Sequence, residues 1–573
     1  MLTKYEDPKE YALTIVDNYK NELSSNKVDM IMNFDFSQNL LKSSNNASKS
    51  TSLNIGYFIF QHLYKHLEVK SFIDNITKDS KITYNANDIN RFLTYSRILK
   101  PTSKLGTVNQ LDNYFEKPNF THQHVLGFMD VLSENYDQYI EHLFKKSNKV
   151  VKRDTSVFYY DCTNYYFETE QNDFDYIDDV TGERIKGLRK YGISKQHQPS
   201  PLVQMGLFMD NDGIPITMCI NSGSDNETKS VKPLEEKLIK MVKGKKFVYC
   251  ADAGLGSVDI RKFNDMGGRA FIVTQSIKKL ATQYQEAVFN DMDYKKLSDN
   301  SPISLEIMKN FDRHDEKNLK LYDDIVYKVI NIDRLVDLGL FEEAKDKYGK
   351  SKKIKAKGTL RQKVIITFSR KTMEYQRRIR EAQVDRAKNL LKNNLIDKKK
   401  KGPNDPARFI KKLNNTKNEY EIDQSIIDNE SKYDGFYAIA TNLDDDAKDI
   451  IAVNSNRYKI EDCFRLMKTN FDARPVYHRN RERITSHFLI CYTSLLLFRL
   501  LEKKIKDAGY KLTADEILNT LKVMDVINID DIYYESSYTS SVCMEALNDI
   551  FGLELNKKRY LPKTINKIIK NLS

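Results

Sequence analysis

The sequence has no tryptophan, and its six cysteines are scattered without a C-x-x-C pair. This argues against a disulfide framework and a zinc ribbon, and it fits reduced thiols in a cytoplasm. Long hydrophobic runs are also missing. The best candidate, FLICYTSLLLF from Phe488 to Phe498, stops at Arg499, whereas a membrane-spanning helix needs about 18 apolar residues. We therefore predict a buried core helix there and expect no membrane partner.

The N-terminus, MLTKYEDPKEY, carries charges with no apolar stretch behind them, so no secretory signal is expected. The predicted location is the cytoplasm. A chain of 573 residues is too long for one ordinary domain. Its formal charge is +12, with lysine runs at 351–357 and 398–401. Such runs favour a polyanionic partner, although solvated lysine faces explain most of them, so charge alone does not decide.

Residues 1–150 are predicted to be mostly helical. One apolar-periodic run ends near Leu99, Pro101 stops that helix, and Thr102 or Ser103 can cap the next. This punctuation resembles a helix-turn-helix, which would read DNA. A turn in an ordinary helical core is the equally open alternative.

From Ser156 the pattern changes to strands and helices in alternation. SVFYYD is a short strand candidate ending in Asp161, and two apolar segments joined through Asn211-Asp212-Gly213 predict a hairpin. A helix, the strand KFVYCAD ending at Asp252, a glycine turn, a second helix and the strand AFIVTQ follow. This order predicts an α/β fold with a mixed sheet and a carboxylate at two strand ends.

The rest of the chain completes the predicted domain plan. Residues 277–432 are irregular and basic, with a strand candidate VIITF and a long charged helix, and they are interpreted as an insertion. The sheet resumes at DGFYAIATN. The predicted units are a helical, probable DNA-binding region at 1–150, a catalytic core at 151–276 and 433–500 around the insertion, and a helical region at 501–573.

The stretch NSNRYKIEDCFRLMK, residues 454–468, organises the prediction of function. On a continuous helix, Arg457, Glu461, Arg465 and Lys468 fall in one polar stripe opposite an apolar side. A carboxylate that binds a metal and cations that bind phosphate oxygens would suit a phosphodiester substrate. An ordinary amphipathic helix with ion pairs is the plainer alternative.

The candidate catalytic and metal-binding residues are Asp161, Asp252 and Glu461. The ends of neighbouring strands in a sheet lie close together, so residues far apart in the sequence can meet there. Three carboxylates without histidine or cysteine select Mg²⁺ or Mn²⁺. Two such ions could promote an in-line phosphoryl displacement. A strand-end Asp is more often a turn residue, and paired carboxylates could also serve a glycoside hydrolase, although that leaves the Arg/Lys stripe unexplained.

These motifs resemble the DDE transposases of bacterial insertion sequences, in particular the subgroup with a Y-x2-R-x3-E-x6-K signature. Arg457, Glu461 and Lys468 match its R, E and K, whereas Asn454 stands where the signature has Tyr. YYDCTNYYFE, GISKQHQPSPLVQMGLFMDNDGIPI, FVYCADAGLGS and RPVYHRNRERITSHFLICY are also similar to family segments. The Asn454 amide could hydrogen-bond a phosphate, but it cannot stack on a base.

The resemblance implies an RNase H-like core and an enzyme that binds the terminal inverted repeats of its own element, cleaves DNA strands and joins them to a target. Asp161, Asp252 and Glu461 would hold two Mg²⁺ or Mn²⁺ ions. Residues expected to contact double-stranded DNA are Arg457, Lys468, Arg465, Asn454, Lys195, His197, His478 and Arg479. For Arg465, a surface ion pair with Asp462 or Glu461 is the alternative. A homodimer on DNA, with residues 501–573 as a possible interface, is expected in a bacterial cytoplasm, at the nucleoid when bound. A transposase-derived DNA-binding protein or repressor without catalysis is the alternative function.

Overall fold

A nine-stranded mixed sheet organises the fold in a computed structural model of the protein. The structure describes residues 52–572, apart from 180–181, 196–198, 243–245, 346–350, 394–401, 403 and 413–419. For residues 335–345 and 351–357 it describes the backbone alone. Residues 51–573 form one compact unit.

The first described part of the chain is mainly helical, as predicted. It comprises β1 (Ser52–Asn54), α1 (Tyr57–His66), α2 (Val69–Thr77), α3 (Ala86–Leu99), α4 (Lys104–Asn109), α5 (His122–Glu134) and α6 (Tyr136–Val150). Pro101 follows the end of α3, and the Ser103 hydroxyl accepts a hydrogen bond from the Gly106 N–H at 3.0 Å, which caps α4. The predicted stop and cap are both confirmed.

The next segment forms the first half of the central sheet. Its elements are β2 (Phe158–Tyr166), β3 (Tyr176–Ile177), β4 (Arg184–Ile185), β5 (Leu202–Met209), β6 (Pro215–Ser222), α7 (Thr228–Val242), β7 (Phe247–Ala251), α8 (Val258–Phe263) and β8 (Arg269–Thr274). The predicted hairpin is β5–β6, and Gly213 in its turn has a φ of 84°, which favours glycine.

The strand order confirms the predicted fold class. The sheet runs β6-β5-β2-β7-β8, with β5 antiparallel to its two neighbours and with β2, β7 and β8 parallel. A three-stranded antiparallel meander followed by two parallel strands is the order of an RNase H-like core. The fold is therefore an α/β fold of that kind.

The predicted insertion extends the same sheet. It contains α9 (Thr282–Phe289), β9 (Lys295–Lys296), α10 (Leu305–Asn310), α11 (Leu319–Asp323), β10 (Val326–Asn331), β11 (Arg334–Lys345), β12 (Ser351–Leu360), β13 (Lys363–Phe368), α12 (Arg370–Lys392), β14 (Ile410–Lys412), β15 (Tyr420–Ile422) and α13 (Gln424–Ser431). The VIITF strand and the long charged helix, β13 and α12, are confirmed. Strands β13, β10 and β9 continue the sheet beyond β16 (Phe436–Thr441). The insertion boundaries themselves stay a prediction.

A group of helices follows β16 and covers one face of the sheet. They are α14 (Ala447–Ser455), α15 (Tyr458–Arg465), a π-helical turn at Leu466–Asn470 and α16 (Arg481–Asp507). By length and composition α16 is apolar enough to cross a membrane, yet 89% of its most apolar window is buried inside the protein. The predicted buried core helix at Phe488–Phe498 is its centre.

The C-terminal region is mostly helical, with three strands that the sequence patterns did not predict. Its elements are α17 (Ala514–Val523), β17 (Asp525–Ile529), β18 (Tyr533–Ser536), α18 (Val542–Phe551), β19 (Arg559–Tyr560) and α19 (Pro562–Leu572). They form a sheet in the order β1-β17-β18-β19, in which Leu53 pairs with Val526. Because β1 finds its partner so far along the chain, local periodicity could not reveal this sheet.

Side chains of β2 alternate between two apolar cores. Phe158 and Tyr160 face the core that contains β7 and the insertion strands. Tyr159 and Tyr165 face the core that contains the helices, where the Tyr165 ring lies 4.8 Å from the ring of Phe488. Because strand side chains alternate, Asp161 points to the helical side.

Candidate active site

The two predicted catalytic aspartates lie at neighbouring positions of two parallel strands. Tyr160 of β2 pairs with Ala251 of β7, and Asp161 and Asp252 are the next residues along each chain. Neighbouring strands lie about 4.8 Å apart, so this register brings the two aspartates together. One detail of the prediction is wrong: β2 continues to Tyr166, and only its pairing with β7 ends beside Asp161.

Arg457 joins the aspartates to the helical layer. Its Nη2 lies 3.4 Å from Oδ1 of Asp252, and its Nη1 donates to Oγ1 of Thr274 at 2.8 Å and to Oη of Tyr437 at 3.3 Å. The guanidinium is close enough to Asp161 to lower the pKa of that carboxyl. One mostly buried cation therefore faces both aspartates.

Asp161 itself sits in a partly desolvated position. Burial raises the pKa of Asp161 from 3.8 to about 6, although Lys195, the Cys162 N–H and Arg457 each oppose the rise. The Cys162 N–H donates to Oδ1 of Asp161 at 2.7 Å. A further positive charge nearby would stabilise the ionised form of this carboxylate, because burial penalises that form.

Lys468 approaches the same face of β2. Its ammonium contacts the hydroxyl of Thr163, two residues beyond Asp161, and lies 5.6 Å above the Tyr165 ring. Burial lowers the pKa of Lys468 to about 8, with Arg474 and Lys195 adding to the effect. Lys468 therefore lies on the side of β2 that carries Asp161, where a residue that contacts the substrate is expected.

Glu461 lies in the first turn of α15, four residues after Arg457, and its side chain is exposed. Ile460, Cys463 and Phe464 form the buried side of the helix, as the apolar pattern predicted. Among the described residues, no group of three or more His, Cys, Asp or Glu side chains is placed to hold a metal ion. The structure thus gathers Asp161, Asp252, Arg457 and Lys468, with Glu461 one turn from Arg457.

The predicted continuous helix over residues 454–468 is wrong. The stretch begins in the last turn of α14, restarts as α15 at Tyr458, and changes to a π-helical turn at Leu466. Asn454 consequently lies on the earlier helix and is buried, and its Nδ2 is 3.3 Å from Oη of Tyr437. The Asn454 side chain is therefore linked to the Arg457 side chain through Tyr437, and the two residues do not lie in one stripe of a single helix.

The other predicted DNA contacts divide into two groups. Lys195 lies beside the aspartates, where its Nζ donates to the Cys162 carbonyl at 2.6 Å and lies 3.1 Å from Glu227. Arg465 forms an ion pair with Asp462 at 2.8 Å, which is the alternative that the sequence left open. His197 lies outside the described residues.

His478 and Arg479 lie away from the aspartates, in a separate cleft between the N-terminal helices and the segment that follows the π-helical turn. His478 is partly buried and Arg479 is exposed. The structure therefore does not place them with Asp161 and Asp252.

Three residues that contact the site were not predicted: Thr163, Thr274 and Tyr437. Thr274 ends β8 and so carries the strand-end signal that identified the aspartates, whereas Thr163 lies inside β2, two residues after Asp161 on the same face. The hydroxyls of Tyr437 and Thr274 lie 2.6 Å apart. Tyr437 gives no local signal, because its contact with Arg457 depends on the pairing of β16 with β8.

A comparison with protein families supports the DDE transposase part of the resemblance. Residues 177–497 match the model of the Transposase DDE domain family. Among solved structures, the chain is similar to a piggyBac transposase, determined by cryo-EM in a synaptic complex with hairpin DNA, at 9% identity and a TM-score of 0.36. The similarity covers 90% of this chain and 84% of that chain. No curated protein matches the chain in sequence.

Proposed function

Because the chain belongs to the Transposase DDE domain family, we propose that it binds the terminal inverted repeats of its own mobile element and catalyses DNA strand cleavage and strand transfer. The observation that carries this proposal is the placement of Asp161 and Asp252 directly after the last paired positions of two neighbouring parallel strands, with Arg457 facing both. Two carboxylates beside a cation suit a phosphodiester substrate, which needs both metal and phosphate contacts.

Asp161 and Asp252 are the proposed metal ligands, with Glu461 completing the site. Enzymes of this family generally use divalent metal ions. The donor set fits Mg²⁺ or Mn²⁺, because it consists of carboxylate oxygens and because nearby Cys162 and Cys250 are buried thiols whose pKa burial raises to about 12. When bound, two such ions would supply activation of a water or 3′-hydroxyl and stabilisation of the leaving oxygen.

Arg457 and Lys468 are proposed to hold the phosphate that reacts. Arg457 presents a planar donor group fixed by Thr274 and Tyr437, which suits a phosphate oxygen pair. Lys468 supplies a second charge from the opposite end of the same helical segment. Arg465, Lys195 and His197 are proposed to contribute weaker contacts with double-stranded DNA, whereas Asn454 is buried against Tyr437 and is no longer proposed as a direct contact. A homodimer on DNA is also proposed, since two element ends must be brought together.

A nicking assay on supercoiled plasmid carrying the element's ends tests the proposal. Wild type is expected to nick the plasmid when Mg²⁺ is added and to stop when the ion is chelated. D161N, D252N and E461Q should each abolish nicking while leaving end binding mostly intact, because the carboxylates serve the chemistry and the cations serve affinity.

D259N is the matched control, since Asp259 lies shortly after Asp252 and its side chain is 91% exposed. It should nick at the wild-type rate. Full nicking by any of the three acidic variants would remove that residue from the site. End binding by wild type without nicking would favour the catalytically inactive, repressor-like alternative.

A further inference from the structure

A second basic site lies away from the aspartates, in a cleft of about 400 Å³. The N-terminal helices line one side through Arg97, Lys104 and His122, and residues 472–487 line the other. Four arginine or lysine side chains and three histidines face the cleft, whereas Asp472 is the one acidic residue in its lining. The cleft therefore has a strong excess of positive charge.

Lys104 is the most unusual member of this cluster. Its side chain is 4% exposed, and within the described residues its ammonium group has no hydrogen-bond partner. Buried lysines are rare unless they are paired, because removing the charge from water is costly. Burial, helped by Arg97, lowers the pKa of Lys104 to about 7. The site thus keeps a donor group that no protein acceptor satisfies.

The neighbouring arginines leave this charge uncompensated. Nη1 of Arg97 donates to the carbonyls of Phe471 and Asp472 at 3.2 and 3.1 Å, and in the described structure its Nε has no partner. Arg483 pairs with Asp130 at 2.9 Å. Carbonyl oxygens orient Arg97 but supply no negative charge, so an anion would be favoured beside Arg97 and Lys104.

Two histidines also line the cleft. Nε2 of His487 lies 3.1 Å from the Ala473 carbonyl, which makes Nε2 the donor. The buried Nδ1 of His487 has no partner among the described residues, and it becomes a second donor only when the ring is protonated. Burial, with Lys104, Arg483, Arg97 and His122 adding to it, lowers the pKa of His478 from 6.5 to about 3. A bound anion would oppose this mutual repulsion, since it favours the charged form of each group.

The position of the cleft points to DNA as the source of the anion. Residues 472–480 follow directly after the π-helical turn that carries Lys468. The Val476 N–H donates to the Tyr166 carbonyl at 3.2 Å, and the Arg474 guanidinium lies 5.9 Å above the Tyr166 ring. Arg457 and Lys468 thus lie beside Asp252 and β2, Arg474 lies at the end of β2, and the segment that carries Arg474 continues into the lining of the cleft. Such a series suits the repeated charges of a nucleic-acid backbone.

We propose that this cleft is a phosphate-binding site, centred on Lys104 and Arg97, that holds a backbone phosphate of the DNA away from the bond that is cleaved. The choice of DNA as the ligand rests on the proposed function, whereas the choice of a phosphate group as the bound chemistry rests on the unpaired cations alone. Thr102 and Ser103, in the turn that resembles a helix-turn-helix, line the same cleft. The turn would then contact the DNA backbone, which gives register and affinity without reading bases.

The test compares K104M with wild type, because methionine keeps a similar volume and removes the charge. Inorganic phosphate is expected to raise the Tm of wild type and to have little effect on K104M. A duplex DNA oligonucleotide should bind K104M about tenfold more weakly. The slope of log affinity against log salt should also fall by about one. Without phosphate, K104M should be at least as stable as wild type, since it no longer buries an unpaired charge.

K81M is the matched control, because Lys81 is exposed in the same region, and it should behave as wild type does in every assay. R479Q, at an exposed position in the lining, repeats the test if K104M does not fold.

Unchanged phosphate and DNA binding by the variant would overturn the proposal. A loss of phosphate binding with unchanged DNA binding would overturn DNA as the occupant. If wild type nicks plasmid and K104M binds both probes normally, this inference fails while the proposed function stands. If phosphate binds and DNA does not, the proposed function fails instead.

Discussion

Asn454 and Arg457 share a hydrogen-bond partner, the hydroxyl of Tyr437, which lies 3.3 Å from Nδ2 of Asn454 and 3.3 Å from Nη1 of Arg457. The same hydroxyl lies 2.6 Å from Oγ1 of Thr274. One side chain on β16 therefore connects the end of α14, the start of α15 and the end of β8. Asn454 stands where the Y-R-E-K signature that the sequence resembles has tyrosine, and the hydroxyl of Tyr437 reaches Asn454 from β16.

Replacing Tyr437 by phenylalanine should loosen Arg457. The variant keeps the ring and loses the shared hydroxyl, so its hydrogen bonds with the Arg457 guanidinium, with Asn454 and with the Thr274 hydroxyl disappear. Removing a hydrogen bond of this kind costs about 1 kcal/mol, which corresponds to an approximately fivefold slower nicking rate if the cost falls on the active site. The measurement is plasmid nicking by Y437F. Y458F, with Tyr458 62% exposed, is the control, and equal rates for both variants would contradict the prediction.

Replacing Arg457 by lysine should lower the rate of DNA cleavage more than it lowers the affinity for DNA. Lysine keeps the charge but cannot contact Asp252, Thr274 and Tyr437 in the planar arrangement that arginine makes. We expect a nicking rate about 10- to 100-fold lower, with DNA affinity changed by less, because the transition state needs the oriented group. Nicking rates and oligonucleotide affinities should be measured together.

R184K is the control for that experiment, since the Arg184 side chain is 77% exposed in a surface ion pair. Unchanged rate and affinity in R457K would mean that Arg457 acts only through its charge, and equal losses of both would mean that Arg457 serves DNA binding alone.

Glu235 on α7 predicts a pH-dependent change in stability. Its side chain is fully buried, and burial raises the pKa of Glu235 from 4.5 to about 8. Between these two values the unfolded chain loses the proton while the folded protein keeps it, so the free energy of unfolding falls as the pH rises. E235Q removes this titration. The stability of E235Q relative to wild type should therefore increase from about pH 5 to pH 8.

Chemical denaturation of wild type and E235Q across that pH range checks the prediction. E236Q serves as the control, because Glu236 is the exposed neighbour. Parallel pH profiles for wild type and E235Q would show that Glu235 titrates normally.

The buried pair Arg153–Asp210 should be the most sensitive ion pair in the catalytic core. Nε of Arg153 lies 2.6 Å from Oδ2 of Asp210, and both side chains are 0% exposed. Removing one partner leaves a buried charge, so D210N or R153M should each lower the free energy of unfolding by about 3–5 kcal/mol. The double variant R153M/D210N should lose less than the sum of the two. D137N, which breaks an exposed pair with Lys237, should cost less than about 1 kcal/mol in the same denaturation assay.

Several elements could be predicted because their information is local. The β5–β6 hairpin follows from Asn-Asp-Gly between two apolar runs, α4 follows from a proline and a serine cap, and α16 follows from its apolar centre. The prediction of a continuous helix over residues 454–468 failed because it also used local information alone. Its sequence is compatible with one continuous helix, whereas the structure ends α14 at Ser455 and starts α15 at Tyr458, with Asn454 and Arg457 on either side of the break both contacting Tyr437 of β16.

The amino-acid sequence by itself determined the order of strands and helices from β2 to β8, the hairpin turn, and which acidic and basic residues could carry the chemistry, because turn residues and apolar spacing act within a few residues. Tertiary structure alone decided that Asp161 and Asp252 sit side by side, that Tyr437 reaches Arg457, and that Lys104 meets His487 across one cleft. Those contacts depend on strand register and on how whole segments pack, over separations from 20 residues for Tyr437 and Arg457 to 383 residues for Lys104 and His487. Local patterns do not encode such distances, since each strand can in principle pair with several others.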